Sequence, residues 1–248
     1  MVEIVITRFI EDLNWLPATL ENLHNNSYDT AVFIYNKGQP IANLQEGLVI
    51  NLKNVGRESH SYAYHMVHFQ HTRNVTLYVQ GDPFDGHREK ISTTVLSVVN
   101  HAMSFGIGAL PLQWLYNSKF HNANDGKPYD ADPAWVPMGL PLGPWIDKIL
   151  DEHPGLFRFR FPKRCNVPFV GHADFAVHSS LQLPKPILLS IIRDLSTSSA
   201  VETAHYMERL WFWLFYAVRA DSAFASVPFD EGFHLNPECM LDEPVAAV

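Results

Sequence analysis

The stretch TLYVQGDPFDGH, residues 76–87, starts as a buried strand and breaks into a small acidic loop. Thr76, Leu77, Tyr78 and Val79 favour a pleated, half-buried surface. Gly81, Pro83 and Gly86 then punctuate a turn that carries Asp82, Asp85 and His87. Two carboxylates and an imidazole there can bind a metal, grip a cation or handle a proton. They can equally do no more than turn a corner.

The flanking segments give this strand its place in a fold. Glu3 to Phe9 is apolar enough for a first strand. Glu11 to Leu23 follows with Leu13, Leu16, Leu20 and Leu23 at helical spacing. Residues 29–36, DTAVFIYN, make a second strand closed by the turn NKG, and Leu48 to Leu52 a short third. Asn54 is a good N-cap for a helix over NVGRESHSYAYHMVHFQ, with Tyr62, Met66 and Phe69 inward. Strand, helix, strand, helix, strand predicts an α/β domain with a largely parallel sheet flanked by helices.

Beyond residue 104 the signals thin out. Ser104 to Pro144 is rich in Pro, Gly, Trp and Asn and predicts long loops and short helical turns over the site. Gly171 to His178 resembles another strand, and Pro186 to Leu195 and Glu202 to Tyr216 two late helices. This predicts one catalytic domain over residues 1–226 and an irregular tail over 227–248.

With 248 residues, 47% hydrophobic and 18% charged, the chain can bury a full core. No apolar run reaches the roughly 20 residues that span a bilayer, and MVEIVITRF lacks the pattern of a secretory signal. Cys165 and Cys239 are too few to staple a fold, which points to a reducing, cytoplasmic compartment. A net charge of -8 argues against a general nucleic-acid binder but leaves room for a local basic patch.

Several motifs carry candidate chemistry. Glu11 and Asp12 follow the first strand, where open α/β sheets bind ligands, and suit a ribose or a cation; they also suit a helix dipole. In NVGRESH, Gly56 permits close backbone approach and Arg57 can fork onto a phosphate or carboxylate. Glu58 and His60 are candidate acid/base groups, and the alternative is a capped helix with solvated charges. His65, His68 and His71 recur every three residues, but no third ligand is forced, so no metal is assigned.

Phe157, Phe159 and Phe161 alternate with Arg158 and Arg160, and Lys163 and Arg164 extend the cationic side. A strand there puts aromatics on one face and arginines on the other. It is either a half-buried edge or a track for RNA phosphates. In HYMERLWFWLF, residues 205–215, Tyr206, Leu210, Trp213 and Leu214 form a core stripe. Glu208 in so apolar a setting is a candidate base, or a partner of Arg209.

Six motifs, TRFIEDLNWL, IYNKG, NVGRESHSYAYH, VTLYVQGDPFDGH, GHADFAVHSS and ERLWFWLF, resemble in order those of a domain-of-unknown-function family of fungi and bacteria. Its typical forms are close to RYNEDLSWL, YNKG, NVGRESHTYLYHI, VFLQGDPFDH, GAQFAVS and ERLW. The resemblance spans most of residues 4–216. It implies a layout similar to the nucleotide-diphospho-sugar transferase fold. Some small fungal members are arginine-containing cyclodipeptide synthases, which condense arginyl-tRNA with a second aminoacyl-tRNA.

That activity implies no cofactor. It implies Glu58, His60, Asp82, His87 and Glu208 as catalytic candidates. Glu11, Asp12, Asn54, Arg57, Gln80, Asp85 and Asp174 are the substrate-binding candidates, and Arg158, Arg160, Lys163 and Arg164 would hold RNA. A nucleotide-sugar glycosyltransferase, with a divalent metal on Asp82 and Asp85, is the alternative. A metal-dependent hydrolase or a non-catalytic binding protein comes third. The chain departs from the family at Phe9 and Ile10, where the family has Tyr and Asn. It departs also at Asp174, where the family has Gln, and at His87, which sits one place later.

Overall fold

In the computed structural model, the described residues are 1–41, 47–69, 73–83, 91–109, 112–115, 140, 142–157, 161, 167–170, 173–197, 202–219 and 222–224. The central strand is β1 (Val2–Arg8), and all seven of its residues are buried. It pairs in parallel with β2 (Thr30–Asn36) and with β4 (Val75–Gln80), and β2 pairs in parallel with β3 (Leu48–Asn51). A strand covered on both faces reads as a continuous apolar run, which is why VEIVITR and VTLYVQ stand out.

The sheet is mixed. Its order is β3-β2-β1-β4-β8-β5, where β5 is Ile107–Ala109 and β8 is Phe175–His178. Strand β8 runs antiparallel to both β4 and β5. A second sheet pairs β6 (Leu112–Leu115) with β7 (Val167–Val170). The stretch expected to be loops therefore holds two short strands, each fixed by pairing with a segment distant in sequence.

Alternation along β1 feeds two cores. Val2, Ile4 and Ile6 face α1 (Leu16–Asn25) and α3 (Ile91–Phe105). Val5, with Tyr35 and Tyr78, faces the other layer. There lie α2 (Arg57–His68), α4 (Leu142–Asp151), α5 (Lys185–Leu195) and α6 (Glu202–Arg219). Tyr206, Leu210, Trp213 and Leu214 of α6 are all core residues, as their spacing predicts.

Two helix starts differ from expectation. Helix α1 begins at Leu16 rather than Glu11, with Pro17 in its first turn, where a missing N–H costs nothing. Helix α2 begins at Arg57, and its cap is Gly56 in the left-handed region, not Asn54. Helix α3 answers to no element expected from sequence. Its buried Val95, Val98, Val99 and Ala102 form one stripe against the sheet.

A polar chain crosses the apolar layer beneath α2. The Glu3 carboxylate meets His65 Nε2 at 2.9 Å, and His65 Nδ1 lies 2.9 Å from the Tyr35 hydroxyl. Thr76 Oγ1 donates to the same Glu3 oxygen at 3.2 Å. His65 is wholly buried, so it stays a core residue and not half of a metal pair with the exposed His68.

Removing one member of a buried pair leaves the other desolvated, a loss of roughly 3–5 kcal/mol. His65→Leu is expected to lose that much in urea unfolding, and Glu3→Leu/His65→Leu to recover part of it. A single variant within about 1 kcal/mol of the parent would show that the pair is not coupled.

Candidate active site

The carboxyl ends of β1, β2 and β4 meet the start of α2 at one edge of the sheet. Strand order reverses between β1 and β4, and open α/β sheets bind ligands at such a point. Because β8 is antiparallel, Asp174, just before it, arrives at this same edge.

The loop after β1 is built around its own side chains. Glu11 Oε2 accepts the N–H groups of Phe9 at 2.6 Å and Ile10 at 3.0 Å. Asp12 accepts the N–H of Asn14 at 3.2 Å. Arg8 donates to Glu11 O, Asn36 Oδ1 and Gln39 O, which ties this loop to the one after β2. Trp15 Nε1 donates to Gly81 O at 2.8 Å, joining the start of α1 to the end of β4. A Cβ on Gly81 would lie 2.9 Å from Glu11 Oε2, so glycine lets the two loops touch. Glu11 and Asp12, the substrate-binding candidates of this loop, thus each accept backbone N–H groups within it, with Asp12 exposed.

Across the crevice the acids go inward. Glu58 is only 8% exposed. Burial pushes its carboxyl above the ordinary range, and Glu208 on α6 adds to that, while Arg57 and Lys37 work against it. Arg57 Nε stands 3.8 Å from Glu58 Oε2 and is itself exposed. Asn54 is exposed too. Asp174 is fully buried and accepts the Gln80 backbone N–H at 2.9 Å. Tyr62, one turn on from Glu58, feels both acids; burial first, then their charge, keeps its phenol protonated. Glu208 is half-buried with His205 Nδ1 at 3.4 Å, and Asp82 is half-buried after β4.

Two backbone outliers sit beside these acids. Arg57 has φ 49° and Ala173 has φ 56°, both left-handed and neither glycine. Each immediately precedes a buried carboxylate, Glu58 or Asp174. Such strain persists where surrounding structure over-determines it, and it gathers at functional sites.

Sequence reasoning missed Lys37. It is only 7% exposed and Nζ donates to the carbonyls of Val55 and Arg57, on either side of Gly56. Burial lowers its pKa to about 7, against a pull upward from Glu58. Its only signal was position, directly after β2 in IYNKG. His60 is buried nearby with Nδ1 lacking a hydrogen-bond partner among the described residues. Burial, and then the Lys37 charge, lower its pKa to about 4, so at neutral pH the ring is uncharged.

The structure thus gathers Glu58, His60, Glu208, Gln80, Asp82 and Asp174 at one edge and leaves Asn54 and Arg57 at its rim. Asp85, His87, Arg158, Arg160, Lys163 and Arg164 lie outside the described residues. Among the described residues no three His, Cys, Asp or Glu side chains cluster as metal ligands. Nor is any described helix long and apolar enough to cross a membrane. Comparison with protein-family models, with curated proteins and with solved structures finds no match.

The buried imidazole makes a pH prediction. Between pH 6.5 and about 4 the unfolded chain takes up a proton at His60 that the folded chain refuses. Stability therefore falls through that window as the pH drops. His60→Gln is expected to flatten that part of the stability profile measured by urea unfolding, and an unchanged slope would contradict the assignment.

Proposed function

We propose that the chain is a tRNA-dependent cyclodipeptide synthase. It condenses arginyl-tRNA with a second aminoacyl-tRNA and acts in the cytoplasm, where such substrates are found. The observation that carries this reading is the pair of buried acids, Glu58 and Asp174, at the carboxyl edge of the sheet. Carboxylates enclosed with phenol and imidazole groups suit an amine or guanidinium, which they meet by charge-assisted hydrogen bonds.

The chemistry asked of such a site is modest. An aminoacyl ester is already activated, so the protein must hold two of them together and move a proton. Asp82, half-buried after β4, holds the cationic group of an entering substrate in this reading. The strand order on either side of β1 is compatible with a fold resembling the nucleotide-diphospho-sugar transferases. The six sequence motifs support the same reading. A nucleotide-sugar glycosyltransferase is the second reading, favoured by the position of Asp82 after a central strand.

Two experiments separate these readings. Expression in a bacterial host followed by mass spectrometry of the medium is expected to find an arginine-containing cyclic dipeptide. Asp82→Asn keeps the shape of that side chain and removes its charge, worth roughly 1.5–3 kcal/mol in a charge-assisted bond. A folded variant with product down about one to two decades is the expected result; normal yield would reduce the loop to a corner. Activity that needs a nucleotide sugar, disappears with chelator and returns with manganese would move the assignment to glycosyl transfer.

A further inference from the structure

Lys37 lies at the same edge, and neither reading gives it a role. Its amine nitrogen has four tetrahedral positions. One is the bond to Cε, and two hydrogens go to the carbonyls of Val55 and Arg57. In the ammonium the fourth position is a third N–H; in the neutral amine it is a lone pair. The two carbonyls satisfy the neutral amine completely, whereas the ammonium needs one more acceptor.

Among the described residues, the titratable groups coupled to it lie on α2. Glu58 and His60 of α2 are coupled to it directly. Glu208 of α6 and the rim residue Arg57 act in turn on Glu58. The amine is therefore fixed at the crevice and coupled to a buried acid, with one position uncommitted among the described residues.

We infer that Lys37 is the general base of the site, a catalytic residue that takes the proton from the attacking amine. This rests on the reading of the crevice as an aminoacyl-transfer centre. The amine nitrogen of one aminoacyl group bonds to the ester carbonyl carbon of the other, and its proton passes to the Lys37 lone pair. The bond from that carbon to the ribose oxygen breaks, and Lys37 returns the proton to the departing oxygen. Charge and protons balance, and the same cycle serves the second, ring-closing step. The lowering of Lys37 to about 7 supports the role, since a base works best near the operating pH. His60, held at about 4, is the weaker acceptor.

Lys37→Arg tests this. Arginine can donate to both carbonyls but does not give up its proton. If Lys37 were only a clamp, Lys37→Arg would keep activity within a few fold. As a base, its loss lowers cyclic dipeptide formation by about 10²–10⁴-fold. A second measurement reads no activity. In protein labelled with 13C-lysine, the Cε resonance of Lys37 is expected to titrate with a midpoint of about 7. A midpoint at the ordinary lysine value of about 10.4 would overturn the assignment whether or not Lys37→Arg folds. A parent protein that makes no cyclic dipeptide overturns the aminoacyl-transfer reading itself. An active parent with an active Lys37→Arg overturns only the role of Lys37.

Discussion

The close approach of α2 to α5 at Gly56 is the constraint on which the crevice depends. A Cβ at that position would sit 2.6 Å from the carbonyl oxygen of Leu195 and 2.9 Å from the Cβ of His60. The backbone there is also left-handed, at φ 57°. Both conditions demand glycine. They set where α2 begins, and its first turn then carries Glu58, Ser59 and His60 into the interior. Ser59 fixes the turn from behind by accepting the Trp211 Nε1 hydrogen at 3.2 Å. Lys37 fixes it from the side of β2.

Buried polarity is concentrated in the layer beneath α2. Glu3, His65, Tyr35 and Thr76 satisfy one another deep in the sheet. Elsewhere the accounting changes: Thr7 Oγ1, Ser61 Oγ, Tyr62 OH and Tyr78 OH are buried without a hydrogen-bond partner among the described residues. Native interiors leave few such groups, and each asks for an explanation such as water or a ligand. Of these, the Tyr62 hydroxyl feels the charge of both Glu58 and Asp174 and fits a polar chamber that a substrate group or water completes.

How much was visible in the residues follows from what each signal measures. The strands β1, β2 and β4 were legible because strands covered on both faces are apolar throughout. Helix α3 was not, since Thr93, Thr94, Val95, Val98 and Val99 favour strand locally, and it is the burial of Val95, Val98 and Val99 against the sheet that favours the helix. The reversed strand β8 is fixed by long-range pairing that no local pattern encodes. Glu58, His60 and Asp82 could be named because acids and imidazoles close to a glycine turn are conspicuous, and Asp174 only through the resemblance of GHADFAVHSS to a family motif. Lys37 looked like an ordinary turn residue, because neither its burial nor its bonds to the carbonyls of Val55 and Arg57 leaves a local signal.

The central claim is that aminoacyl esters bind at the carboxyl edge of the sheet, between the end of β4 and the start of α2. A tRNA carrying a photoreactive group on its terminal nucleotide, charged with arginine, tests this directly by cross-linking and peptide mapping. The account predicts cross-links in the peptides that contain Arg57 and Asp82, competed by unlabelled charged tRNA. Cross-links confined to the opposite edge, near Val2 and Val75, would contradict it.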